Sequence, residues 1–177
     1  MPSHIRSFRN VLRRFRRNRR GSAAVEFALV APVFFALLFA IIETALVFFA
    51  SQVLETITQD SARMIMTGQA QAASYTQAQF KTFLCGRIPA LFTCADLYVD
   101  VQSYAAFSGV AISDPIDGAK NFVPNMKYSP GSAGDIVVVR AFYQWPLFVT
   151  GLGYNIANLT GSKRLLSATA AFRNEPF

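Results

Sequence analysis

Histidine is nearly missing from this 177-residue chain, which has one, and cysteine is scarce, with two. With His4 alone near the N-terminus, neither a Ser/His/Asp or Cys/His catalytic set nor a Cys/His zinc site can be assembled in the body of the chain. Charge is thin as well. Asp, Glu, Lys and Arg together make 15% of the residues, against about a quarter in an ordinary soluble domain. Acid is absent altogether from residues 1–21, although that stretch carries eight of the chain's 17 basic residues: Arg6, Arg9, Arg13, Arg14, Arg16, Arg17, Arg19 and Arg20. The net charge of +7 is therefore one terminal block, because residues 22–177 hold nine Lys/Arg against ten Asp/Glu. A globally basic nucleic-acid-binding surface is excluded by that distribution. A short arginine arm for nucleic acid is the lesser reading of residues 1–21. A cytoplasmic flank obeying the positive-inside rule is the better one.

What the chain has is hydrophobicity, at 53% of residues, with 17 phenylalanines. Phe27 to Ile42 reads FALVAPVFFALLFAII without a charge, and Ala45 to Ala50 resumes it after Glu43 and Thr44. As a helix, Phe27 to Ala50 is roughly 36 Å long, enough to cross a hydrocarbon core of about 30 Å. A cleaved secretory signal has a shorter apolar region and no carboxylate. From Ser51 to Thr67 the helical period continues with Phe49, Val53, Ile57 and Met64 on one face. Ser51, Gln52, Glu55, Gln59, Asp60 and Arg63 make the polar side. One helix over 22–68 is expected, membrane-embedded first, amphipathic afterwards, and stopped near Gly68.

A carboxylate inside a membrane helix costs a few kcal/mol unless it is paired or interfacial. The spacing puts Glu26 at the cytoplasmic boundary and Glu43 near the outer one, where a carboxylate reaches the headgroups. The surroundings of Glu26 are more specific: Gly21-Ser22-Ala23-Ala24-Val25-Glu26-Phe27. A basic leader ending in Gly, with Glu five residues on, resembles the processing site of type IV prepilin-like proteins. The stretch GSAAVEFALVAPVFFALLFAIIE is similar to the TadE-like family of tight-adherence (Flp-type) pilus systems, down to Pro32 and Glu43. Ser61-Ala62-Arg63 and Arg173-Asn174-Glu175-Pro176-Phe177 also resemble that family. The resemblance implies a pseudopilin or minor pilin and cleavage between Gly21 and Ser22 by a membrane prepilin peptidase. It also implies partnership with other pilin-like subunits, the assembly machinery and the bilayer. The chain is then a substrate and a structural subunit, not an enzyme, and no cofactor or metal is called for. Its expected place is the bacterial inner membrane, single-pass, N-terminus cytoplasmic and head periplasmic. The alternative is an uncleaved single-span protein whose head binds a periplasmic ligand or partner.

The expected chemistry at Glu26 is electrostatic. Cleavage exposes an α-amine with a pKa of about 7.7–8.0, and Glu26 can meet the amine of a neighbouring subunit, offsetting part of two desolvation costs. A first-turn position would add helix-dipole stabilisation. The small residues Ala28, Ala31, Ala36 and Ala40 suit close helix packing in a bundle.

Residues 69–177 are expected to form an exported head after a linker at 69–73. Ser74 and Gln77 are a candidate capping box for a helix from Tyr75 to Cys85 that buries Phe80, Phe83 and Leu84, with Gly86 as its stop. Cys85 and Cys94 flank a turn containing Pro89. In an oxidising compartment they close a loop of about ten residues, stabilising by about 2–3 kcal/mol in the chain-entropy model. Strands are expected at Leu97–Ala105, Asp135–Trp145 and Leu165–Arg173, with Pro146 weakening the end of the second. The fold class is α+β: a long N-terminal helix whose distal half carries a three- or four-stranded antiparallel sheet. Asp96 and Asp100 share a solvated strand face in this reading, and Asp114 and Asp117 belong to turns. Residues 107–134 form a loop long enough to suggest binding or mobility. Tyr104, Phe107, Tyr143 and Trp145 are either an aromatic surface or the core of a small sheet. Gly151-Leu152-Gly153 reads as a turn, since it lacks the rest of a nucleotide loop.

Overall fold

The computed structural model describes residues 21–88, 90–150 and 154–177. The arginine block, Pro89 and Gly151-Leu152-Gly153 lie outside them. The fold is α+β, as the periodicities predict. Helix α1 runs Ser22–Met66, followed by a one-turn α2 (Gln69–Ala72) and α3 (Gln77–Cys85). Strands β1 (Leu97–Tyr104), β2 (Ile136–Pro146) and β3 (Lys163–Arg173) make one antiparallel sheet in the order β1-β2-β3. The expected linker at 69–73 is thus mostly helical, with Ala70 buried.

Two compact units divide the chain between Ile41 and Ile42. In the first, α1 exposes Phe27, Leu29, Val30, Phe34, Phe39 and Ile41 among other large apolar side chains. Each would cost about 1.5–3 kcal/mol to hold in water rather than in an apolar medium. Among the described residues, α1 is the one helix long and apolar enough to cross a membrane.

The second unit, 42–177, has its own core. Along α1 the buried positions are Glu43, Val47, Ala50, Leu54, Ile57, Thr58, Ser61, Ala62 and Ile65, a stripe advancing by alternate threes and fours. This keeps Ile57 of the expected face and corrects the phase around it. Phe49 is exposed and Val53 and Met64 are half-buried, while Thr58 and Ser61 are fully inside. Thr58 tolerates burial by donating its hydroxyl to the Leu54 carbonyl at 2.7 Å. Against this stripe pack Leu97, Val99 and Val101 of β1, Val137, Val139 and Ala141 of β2, and Leu166 and Ala168 of β3. Each comes from alternate positions of its strand.

The N-terminus of α3 sits two residues later than expected. Thr76, not Ser74, is its cap: Thr76 Oγ1 accepts from Gln79 N, and Gln79 Oε1 accepts from Thr76 N. Gln77, the expected partner of Ser74, instead donates to the Val99 carbonyl at 2.8 Å. Phe80 and Leu84 are buried and Phe83 half-buried. Cys85 and Cys94 are joined as a disulfide across a Cα–Cα distance of 5.5 Å. Two of the four candidate surface aromatics prove to be core. Tyr143 and Trp145 are buried against Phe92, at ring separations of 4.9 and 5.9 Å, whereas Phe107 is exposed.

The long segment between β1 and β2 covers the other face of the sheet. Phe122, Ile116 and Met126 pack with Tyr98 of β1 and the buried Phe142 and Leu165. Residues 127–129 bond along the free edge of β1, with Val101 N donating to Lys127 O and Ser129 N to Val101 O, both at 2.8 Å. Asp100, expected on a solvated face, is therefore buried. Its Oδ2 accepts from Arg140 Nη2 at 2.7 Å and Nε at 3.0 Å, and its Oδ1 accepts from Lys127 N at 2.8 Å. Arg140, directly opposite on β2, also donates to the Ser113 carbonyl at 2.9 Å. The pair fastens the loop to the sheet at both ends.

Residues beyond β3 close the unit. Asn174 donates to the carbonyls of Pro130 and Ser132, and Glu175 N donates to Met66 O, satisfying a carbonyl at the end of α1. Gly68 has φ of 74°, and a Cβ there would meet Phe177 Cγ at 2.3 Å, so both the turn and the ring demand glycine.

Candidate functional site

The candidate residues fall in two places, one at the start of α1 and one at its middle. Gly21 immediately precedes the helix, is exposed, and has no heavy atom within 4 Å of where a Cβ would stand. Ser22 is the first helical residue. The Gly21–Ser22 peptide thus joins a residue in 3-10 conformation to the first residue of α1.

Glu26 is exposed, one turn beyond Ser22, and its Oε1 accepts from Ser22 Oγ at 2.9 Å. The first turn itself contains no acid, so Glu26 opens the second turn, where the dipole's influence is already fading. What the geometry supplies instead is direction. The i, i+4 bond holds the carboxylate toward the N-terminal end of its own helix.

Glu43 is not a carboxylate reaching for headgroups. It is 6% exposed, and its Oε1 accepts from the backbone N–H of Phe148 while the same carboxylate takes Val149 N at 3.1 and 3.2 Å. The neighbouring Thr44 hydroxyl is hydrogen-bonded to the Tyr154 hydroxyl. Two consecutive amides on one carboxylate make a charge-assisted cradle. Sequence reasoning could find Glu43 because it interrupts an apolar run. It could not find the partner, because an amide has no side-chain signature.

Of the acids of the head, Asp100 is bonded inside the sheet's loop-covered face, and Asp114 and Asp117 are bonded within their own turns. Asp114 Oδ1 accepts from Ile116 N, and Asp117 Oδ1 accepts from Ala119 N and Asn121 N, which is turn chemistry. The Asn121 bonds hold the Asp117 carboxyl below its usual range.

A family model described as TadE-like protein matches residues 21–63. The match takes in Gly21, Ser22, Glu26, Pro32 and Glu43, and stops three residues before the end of α1. No curated protein and no solved structure matches the chain.

Proposed function

We propose that this chain, similar to the TadE-like family along α1, is a minor pilin or pseudopilin, a structural and assembly subunit of a tight-adherence pilus or secretion apparatus. The observation that carries the reading is the coincidence of the family match with the helix start: the match begins at Gly21 and the helix at Ser22. In this reading residues 1–21 are a cytoplasmic leader, 22–68 the membrane and packing helix, and 69–177 the periplasmic head. A prepilin peptidase hydrolyses the Gly21–Ser22 bond, which leaves the leader as a free acid and Ser22 with an α-amine. That amine is mostly protonated at neutral pH and lies one turn from Glu26. Glu26 neutralises it, from its own chain or from a neighbouring subunit. The processed helix then leaves the bilayer for a bundle of pilin-like helices, whose contacts replace lipid on the apolar side chains of residues 25–41.

Intact mass and N-terminal sequencing of the protein from membranes of its native host test this. A chain beginning at Ser22, lost on Gly21→Ala or on deletion of the peptidase, is the expected result. A chain that keeps residues 1–21 while the peptidase is active would overturn it and leave an uncleaved single-span protein with a binding head. Glu26→Gln should be processed normally and fail to enter the assembled apparatus.

A further inference from the structure

The loop that holds Glu43 is itself a membrane contact: we propose that Leu147–Thr150, with Phe148 at its tip, dips into the outer leaflet beside α1. The argument starts from three observations within the unit 42–177. Phe148 is 86% exposed, the most exposed large apolar side chain among the described residues of that unit. Its own backbone N–H and that of Val149 are nevertheless bonded to a buried carboxylate. That carboxylate projects from a stretch of α1 whose other faces present Ile42, Leu46, Phe48 and Phe49 outward.

In water none of this is needed. A glutamate on a surface helix would be solvated, loop amides would bond to water, and an exposed phenylalanine would be a cost. In a bilayer all three become requirements. Irregular backbone at hydrocarbon depth must have its N–H groups satisfied by protein, and a carboxylate there must be paired. Glu43 and the loop do this for each other, and Phe148 is free to enter lipid. Depth follows from the helix. Phe49 lies six residues beyond Glu43, about 9 Å along the axis, and is still an outward-facing apolar residue. A loop anchored at Glu43 therefore sits below the level at which apolar residues are still presented. The occupant is the bilayer because, within the unit 42–177, the loop is bonded to a stretch of α1 whose outward residues Ile42, Leu46, Phe48 and Phe49 are themselves apolar. The inference is independent of processing at Gly21.

Fluorescence depth measurement on the full chain in phosphatidylcholine/phosphatidylglycerol vesicles tests it, using phosphatidylcholine brominated on the acyl chain as quencher. Trp145, the single native tryptophan, is buried and gives a constant background. The added emission of Phe148→Trp should be blue-shifted and quenched as strongly as that of Phe48→Trp, a reporter on α1. Quenching no stronger than that of Phe107→Trp, an exposed head residue, would overturn the proposal. So would emission that changes with protein-to-lipid ratio, which would put a second copy on the patch. Thr150→Trp gives the same comparison if Phe148→Trp does not fold. Adding Glu43→Leu to the Phe148→Trp chain should drop its quenching to the Phe107→Trp level, while leaving that of Phe48→Trp unchanged. Undiminished quenching in the double variant would overturn Glu43 as the anchor of the loop.

Discussion

Asp100 and Arg140 show how much one buried pair can decide. Every oxygen of the carboxylate is bonded, and the guanidinium reaches both Asp100 and the Ser113 carbonyl. Arg140→Met should cost about 3–5 kcal/mol, because it strands a buried charge. Asp100→Val with Arg140→Met should cost less than the two single changes together. Urea unfolding in detergent micelles would read both. Tyr128 supplies the pH prediction. Burial, with a contribution from Tyr75, pushes its phenol up from 10.0 to about 12. Between those values the unfolded chain releases the proton and the folded chain keeps it, so stability is intact below about pH 10 and falls as pH rises toward 12. The hydroxyl has no hydrogen-bond partner among the described residues. Tyr128→Phe should therefore leave the unfolding midpoint unchanged at neutral pH and blunt the alkaline fall.

At the level of elements, α1 was legible in length and in part of its phase, with Ile57 buried and Val53 packed on the core as expected. Its apolar run is hydrophobic all round through Phe49, so no face stands out, and Phe49 draws the eye as a core residue. The buried stripe shares Ile57 with the expected face but otherwise uses Val47, Ala50 and Leu54, and carries Thr58 and Ser61. Leu54→Ala should cost about 2–5 kcal/mol, whereas Phe49→Ala should change the thermal midpoint of the head little. The α3 cap was misplaced for a related reason. Ser74 and Thr76 both have Gln three residues on, and the choice between them is made by Val99, a residue more than twenty positions away that takes Gln77. The strands were readable to within two residues, since alternation is local. The fate of the 107–134 segment was not, because the far face of the sheet announces itself only through Tyr98, Phe142 and Leu165. The disulfide is an element-scale brace between α3 and the approach to β1. Its reduction should lower the head's stability by about 2–3 kcal/mol, as measured by unfolding with and without reductant.

For the whole molecule, the compact unit that holds the sheet begins at Ile42, within α1. Among the described residues, every buried apolar side chain of its two clusters lies between Val47 and Ala168. A chain of residues 42–177, solubilised in detergent, should unfold cooperatively and form the Cys85–Cys94 bond. A chain of residues 69–177 should not, since it lacks the stripe on which the sheet is built. Comparing the two by thermal circular dichroism separates those outcomes. The candidate residues were legible to different degrees. Gly21, Ser22 and Glu26 form a local motif, so seven consecutive residues suffice to point at them. Glu43 has its meaning in amides more than a hundred positions on, beyond the reach of any spacing rule.

That separation has a consequence in time. The stripe from Val47 to Ile65 is made early, yet its cover comes from Leu97–Val101, Val137–Ala141 and Leu166–Ala168. A ribosome adding about 5–20 residues each second takes several seconds to reach the last of these. Through that interval the nascent chain shows an uncovered greasy seam to whatever lies beside it. The last strand to be synthesised completes the cover of the seam, and until then the exposed seam is a surface on which the nascent chain can aggregate.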